Sequence, residues 1–244
     1  MSQSALFTAE IGVAIAILMA SYLIGSIPWA YIIVRRVTGE DITAHGTGNV
    51  GAMNVRRTTG SWGWFAVDMV ADGLKGFVPV LGAKALAGGI GIAWLVTPWG
   101  IAAKGIANFG ALYPLWFFPP LAVAGAVLGH NYSMWLALQC KKFARTGKGL
   151  ATGAGALLAY DWRYFVAVVV VGLLVIAVTR YMMAGQVVAA FTLPIAALVL
   201  RSPDWPFALL MGLFVYAAHH KRFMGLLAGK EPKLYIEDGA GPRG

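Results

Sequence analysis

The stretch TAEIGVAIAILMASYLIGSIPWAYIIV, residues 8–34, runs without Lys or Arg into Arg35-Arg36. As a helix it reaches about 40 Å at ~1.5 Å per residue, more than the roughly 30 Å of a bilayer's hydrocarbon core. It predicts a membrane-spanning first helix. A cleaved secretory leader is the poorer reading, because the run is too long and no basic residue precedes it.

Further apolar runs, bounded by charged or Pro/Gly-rich stretches, lie at 62–88, 118–139, 149–160, 164–180, 183–200 and 205–219. The run at 149–160 is too short to cross alone and is cut by Asp161-Trp162-Arg163. It reads either as a half-span covered by neighbours or as the start of a longer bent segment. About seven spans result, with six as the alternative. Composition agrees: 59% of the 244 residues are hydrophobic and 12% charged, against about a quarter charged in soluble domains. The 31 glycines suit helices that pack backbone to backbone in lipid. The expected fold is an all-α, polytopic membrane helix bundle, one integral membrane domain over 1–244, with 89–117 outside and 234–244 a flexible tail.

The charge distribution orients it. Of nineteen basic residues, fourteen fall in loops that share one side with the C-terminus, and only Lys75, Lys84, Lys104, Arg163 and Arg201 do not. The positive-inside bias then predicts an outside N-terminus and a cytoplasmic C-terminus. The net charge of +9 is accounted for by this bias and by anionic headgroups, without nucleic acid. A single cysteine, Cys140, excludes an intrachain disulfide and a thiolate metal cluster.

Three polar constellations interrupt the apolar pattern. The loop Gly46-Thr47-Gly48-Asn49-Val50-Gly51-Ala52-Met53-Asn54-Val55-Arg56-Arg57 alternates glycines with small polar residues. Such turns can expose successive N–H groups to an anion, with Arg57 adding a bidentate contact, or can be a plain reverse turn. A second basic, glycine-rich stretch, Arg145-Thr146-Gly147-Lys148-Gly149, opens an apolar run and so sits at a helix N-terminus, where dipole and N–H groups attract anions. It lacks P-loop spacing. Asp68, Asp72 and Lys75 share one helical face inside the second span, where charges are costly. They read as a self-neutralising Asp72–Lys75 pair, as functional groups, or as a proton relay. His130 and His219 stand near span ends, and no metal-ligand or Ser-His-Asp pattern is present, so metal and covalent chemistry are disfavoured.

In order, these stretches resemble the signature regions of the PlsY family. Gly25-Ser26-Ile27-Pro28, Gly46 to Arg57, Asp72 to Val80, Gly129-His130 with Gly147-Lys148-Gly149 and Ala151-Thr152, and Leu226-Leu227-x-Gly229-x-Glu231 carry the likeness over most of residues 20–231. Thr47 replaces the family serine, Met53 a threonine, Ser133 a proline and Arg222 an asparagine. Arg145-Thr146 stand for Lys-Gly, and about six extra residues separate His130 from Gly147.

The resemblance implies a membrane enzyme without a cofactor that moves an acyl chain from acyl phosphate to glycerol 3-phosphate in a bacterial plasma membrane. It implies that Thr47, Arg57, Arg145, Lys148 and His219 hold glycerol 3-phosphate. The loop from Gly48 through Asn49 and Gly51 to Asn54 would hold the acyl phosphate, and Asp72, Lys75 and His130 are further candidates. No residue is assigned as base or nucleophile. The departures leave a second reading, a noncatalytic lipid-binding or accessory subunit of a membrane complex. An anion transporter using Asp68, Asp72 and Lys75 is a third.

Overall fold

The computed structural model describes residues 3–46, 48–87, 117–141, 143–202 and 204–231. The expected outside segment, the C-terminal tail and Thr47 therefore lie outside the described residues. The described residues are helical and contain no strand. Among the described residues, four stretches are both long and apolar enough to cross a membrane: Glu10–Thr38, Phe118–Cys140, Trp162–Thr179 and Met182–Val199. The chain is a multi-pass membrane protein.

Two of these stretches are broken where the sequence reads as continuous. The first divides into α1 (Gln3–Gly25) and α2 (Trp29–Thr38). Pro28 has no N–H to continue the ladder, and Ser26 turns its hydroxyl back onto the Tyr22 carbonyl at 2.7 Å. The third expected span divides at Ser133 into α5 (Phe118–Asn131) and α6 (Met134–Cys140). Ser133 is the N-cap of α6, its hydroxyl accepting from Leu136 N–H at 3.1 Å.

Between them lie α3 (Ala52–Thr59) and α4 (Trp62–Leu86), the latter 25 residues long. α4 corresponds to the expected span 62–88, but it carries Asp68, Asp72, Lys75 and Lys84. All four are buried on one face with Gly76, Pro79, Val80 and Ala83, while Val67, Val70, Leu74 and Val78 are exposed. The helix is amphipathic in the sense lipid demands, with its polar face turned inward.

The chain divides into two compact units, Met1–Trp162 and Arg163–Gly244. In the first, α1 packs on α5 and α4 packs on α7 (Leu150–Tyr160), with α5 touching α4 and α7. Glycine sets both close approaches. A Cβ on Gly129 would stand 2.2 Å from the Tyr22 carbonyl, and one on Gly76 would stand 2.0 Å from that of Thr152. The short α7 is thus covered by its neighbours, as the half-span reading expects. Its C-terminal carbonyls, Ala159 and Tyr160, accept from Lys84 Nζ at 3.0 and 2.9 Å. That buried cation neutralises the negative end of the helix dipole. A small cap of α2, α3 and the 3-10 turn Ile42–Ala44 closes one end around Val34, Ile42, Val50, Val55 and Leu136.

The second unit contains α8 (Trp162–Thr179) from Arg163 onward, α9 (Met182–Val199) and α10 (Trp205–Leu227). Gly185 meets Ile176 and the Gly172 carbonyl, and Gly212 faces the Ala190 carbonyl, so backbone contact again joins the helices. The two turns are closed by Arg180 (φ 63°) and Arg201 (φ 50°), in a left-handed conformation more usual for glycine.

Candidate active site

The first glycine-rich loop is held from within. Asp41 Oδ1 accepts from Thr43 N–H at 2.8 Å and from its hydroxyl at 2.7 Å. The Thr43 hydroxyl, and more weakly its N–H, hold the Asp41 carboxyl below its ordinary range. Gly46 (φ 56°) and Gly48 (φ 66°) then take left-handed turns. Buried Asn54 reaches back from α3 and donates through Nδ2 to the carbonyls of Ile42 (3.1 Å) and His45 (3.0 Å).

Two backbone amides of the loop are engaged within it. The N–H groups of Gly48 and Asn54 bond to His45 O and Gly51 O, at 2.9 and 2.8 Å. Together with the side-chain bonds of Asn54, they serve the loop's own fold. In the first turn of α3, which starts after Gly51, Asn54 and Val55 N–H bond to Gly51 O, and the N–H groups of Ala52 and Met53 precede the first intrahelical bonds. Arg57 is exposed on this helix, whereas Arg56 lies 3.8 Å over the Trp62 ring. Asn49 and Met53 are half-buried.

The second loop is laid along the end of α5. Thr146 N–H donates to Asn131 O at 2.8 Å, and its hydroxyl donates to His130 O at 2.9 Å. The Ser133 N–H, which the family's proline would lack, donates to Thr146 Oγ1 at 3.4 Å, and the Ser133 hydroxyl donates to Ser26 O at 2.5 Å. Two departures from the family pattern thus bond to one another. Arg145 is exposed and bonds through Nε to Gly147 O at 3.2 Å, and Gly149 (φ 73°) is the N-cap of α7. Lys148 is half-buried immediately before that cap.

The two loops meet. Val50 N–H donates to Thr146 O at 2.8 Å, so the residue before Gly51 touches the residue two before Lys148. The loop that leads into α3 and the loop that leads into α7 are therefore in contact.

The α4 face forms a connected polar cluster. Asp72 Oδ1 lies 2.8 Å from Lys75 Nζ, and its Oδ2 lies 3.5 Å from His130 Nδ1. Lys75 also donates to Ile27 O at 2.8 Å, and His130 Nδ1 is 3.2 Å from Thr152 Oγ1. Asp68, fully buried one turn earlier, has no hydrogen-bond partner among the described residues.

His219 stands buried on α10, its Nδ1 2.8 Å from Val215 O, and belongs to the second unit. One turn later Arg222 makes a two-pronged pair with Glu231, at 3.0 and 2.5 Å. Reasoning from the sequence missed Thr146, Thr152 and Lys84 as organising residues. Only Lys84 gave a signal, a fourth charge in a span already carrying three.

Residues 15–229 match the family model described as glycerol-3-phosphate acyltransferase. The chain belongs to that family. It is 35% identical to the glycerol-3-phosphate acyltransferase of Thermosynechococcus vestitus, over 91% of this chain and 95% of that one. It is also 35% identical to the enzyme of that name from Thermus thermophilus, over 89% and 93%. Two crystal structures of PlsY, an integral membrane glycerol 3-phosphate acyltransferase, in glycerol 3-phosphate and lysophosphatidic acid forms, superpose with TM-scores of 0.68 and 0.67. They have 26% identity and cover 91% of this chain and 95% of theirs.

Proposed function

We propose that this chain is a membrane glycerol-3-phosphate acyltransferase that takes its acyl chain from acyl phosphate and forms lysophosphatidic acid at the cytoplasmic face of a bacterial plasma membrane. The junction of the two loops, at the Val50 to Thr146 hydrogen bond, is the observation that carries the reading. It supports two adjoining anion sites where two phosphate-bearing substrates can be held together, and proximity then supplies much of the rate.

In this reading Arg57, Arg145 and Lys148, with Thr47 from the family pattern, hold glycerol 3-phosphate. The first turn of α3, with Asn49 and Gly51, holds the acyl phosphate. A hydroxyl oxygen of glycerol 3-phosphate attacks the acyl carbonyl carbon, the bond from that carbon to the phosphate oxygen breaks, and inorganic phosphate leaves. The hydroxyl proton passes to a phosphate oxygen, so no protein nucleophile is required. Cationic side chains and helix N–H groups stabilise the charge that grows on the leaving phosphate. The N-terminus lies outside in this reading.

The test supplies purified protein with glycerol 3-phosphate and either acyl phosphate or acyl-CoA. Product from acyl phosphate alone is expected, and near-normal transfer by a folded Arg57→Ala, Lys148→Ala double variant overturns the site. The orientation is checked with native Cys140, which is exposed at the end of α6. It should react with an impermeant maleimide only after cells are permeabilised.

A further inference from the structure

The Asp72, Lys75 and His130 cluster takes no part in substrate contact as described above, yet through His130 it leads to the second loop. Lys75 ties the Ile27 carbonyl, at the break between α1 and α2, to Asp72, and Asp72 faces the His130 ring. That ring carries the second loop. A Cβ on Gly147 would stand 2.1 Å from His130 Nε2, so the loop rests directly on the imidazole. Thr152, in the first turn of α7, meets Nδ1, and Thr146 bonds the His130 carbonyl. Lys148 is bracketed by residues seated on this one histidine.

We infer that Asp72, Lys75 and His130 form a positioning cluster that sets the reach of Lys148 toward the phosphate of the acceptor substrate. The inference rests on the acceptor-binding reading of Lys148. Packing alone does not call for these groups, since apolar side chains of similar volume commonly replace a buried ion pair without loss of stability. What apolar side chains cannot supply is direction. The Asp72 carboxylate faces Lys75 on one side and His130 on the other, and the Thr152 hydroxyl completes the hold on the ring. The ring plane thereby fixes the height of Gly147 and of the α7 N-terminus. A charge placed about 1 Å wrong loses much of its value in a preorganised site, so the cost of burying the cluster is offset at the substrate.

Steady-state kinetics on purified full-length protein test this, with glycerol 3-phosphate and acyl phosphate varied separately. His130→Ala should raise the glycerol 3-phosphate KM about tenfold, on the scale of one charge-assisted hydrogen bond. The acyl phosphate KM should change less, within about twofold, because the α3 start meets the second loop through the backbone bond from Val50 to Thr146 and not through the imidazole. His130→Gln, whose amide can still meet Thr152, should recover part of the loss. Thr152→Val keeps the side-chain shape and should raise the same KM more weakly; it carries the test if His130→Ala does not fold. Equal changes in both KM values, or an unchanged glycerol 3-phosphate KM in folded variants, overturn the positioning role while leaving an active parent protein in its proposed function. A parent inactive with acyl phosphate overturns that function and this inference with it.

Discussion

In α4 the charged face is the buried one, whereas α8 carries no charge beyond Arg163 at its start and leaves Leu173, Leu174 and Val178 exposed. Both helices are long enough to cross a bilayer. In lipid an exposed leucine costs nothing, so apolar residues say little about which neighbour a helix faces. The groups needing partners decide that, because an unsatisfied charge in hydrocarbon is expensive. α4 is therefore oriented by Asp72, Lys75 and Lys84, each bonded within the first unit, while α8 is fitted to its surroundings by shape.

The sharpest way to break this contrast is to strand one charge of α4. Asp72→Asn or Lys75→Met alone should each destabilise by about 3–5 kcal/mol, the usual cost of leaving a buried ion unpaired. The Asp72→Asn, Lys75→Met double variant should recover part of this. Folded yield after detergent extraction reads both, and additive losses without recovery would show that the 2.8 Å pair is not coupled.

On α8 the same chemistry should fail for the opposite reason. Leu173→Lys places a charge on an exposed apolar face near the middle of the helix and should cost about 2.5–3.5 kcal/mol on insertion scales. An insertion assay measures it, and tolerance equal to that of Leu173→Ala would mean the face is not against lipid.

A smaller difference is expected between two glycines. Gly76→Ala would drive a Cβ to within 2.0 Å of the Thr152 carbonyl and should cost about 1–3 kcal/mol as α4 and α7 separate. Gly172→Ala on α8 meets nothing nearer than 3.6 Å and should be neutral or stabilising by up to about 1 kcal/mol. Thermal unfolding in detergent compares the two.

The smallest effect belongs to a charge in water. The Asp41 carboxyl is held below its ordinary value by the Thr43 hydroxyl and N–H. It therefore stabilises the loop above that ordinary value and loses its contribution as pH falls through the lowered one. Asp41→Asn should cost within about 0.5 kcal/mol near neutral pH, as at other surface positions, with the difference from wild type vanishing in acid. A pH series of melting temperatures checks the sign.

Each of the seven apolar runs corresponds to helix, and the Asp72–Lys75 pair follows from a three-residue spacing that is local by nature. The breaks at Ser26-Ile27-Pro28 and Ser133 were not legible from hydropathy, which continues across both. Nor was the engagement of the Gly48 and Asn54 amides, because a glycine-rich loop has the same composition whether its N–H groups face a ligand or its own carbonyls. Ser133 and Thr146 read as two unrelated departures until folding set them against each other.

By itself the sequence determined the solvent of this protein, the helical runs and the family signatures, because each is a sum or spacing over neighbouring residues. Tertiary structure alone decided that Lys84 caps α7 from 75 positions away, that Thr146 meets both Val50 and Ser133, and that His130 lies under Gly147. Those contacts depend on helices approaching closely enough for backbone to touch backbone, and the geometry of that approach is a property of pairs of helices that no single stretch of chain contains.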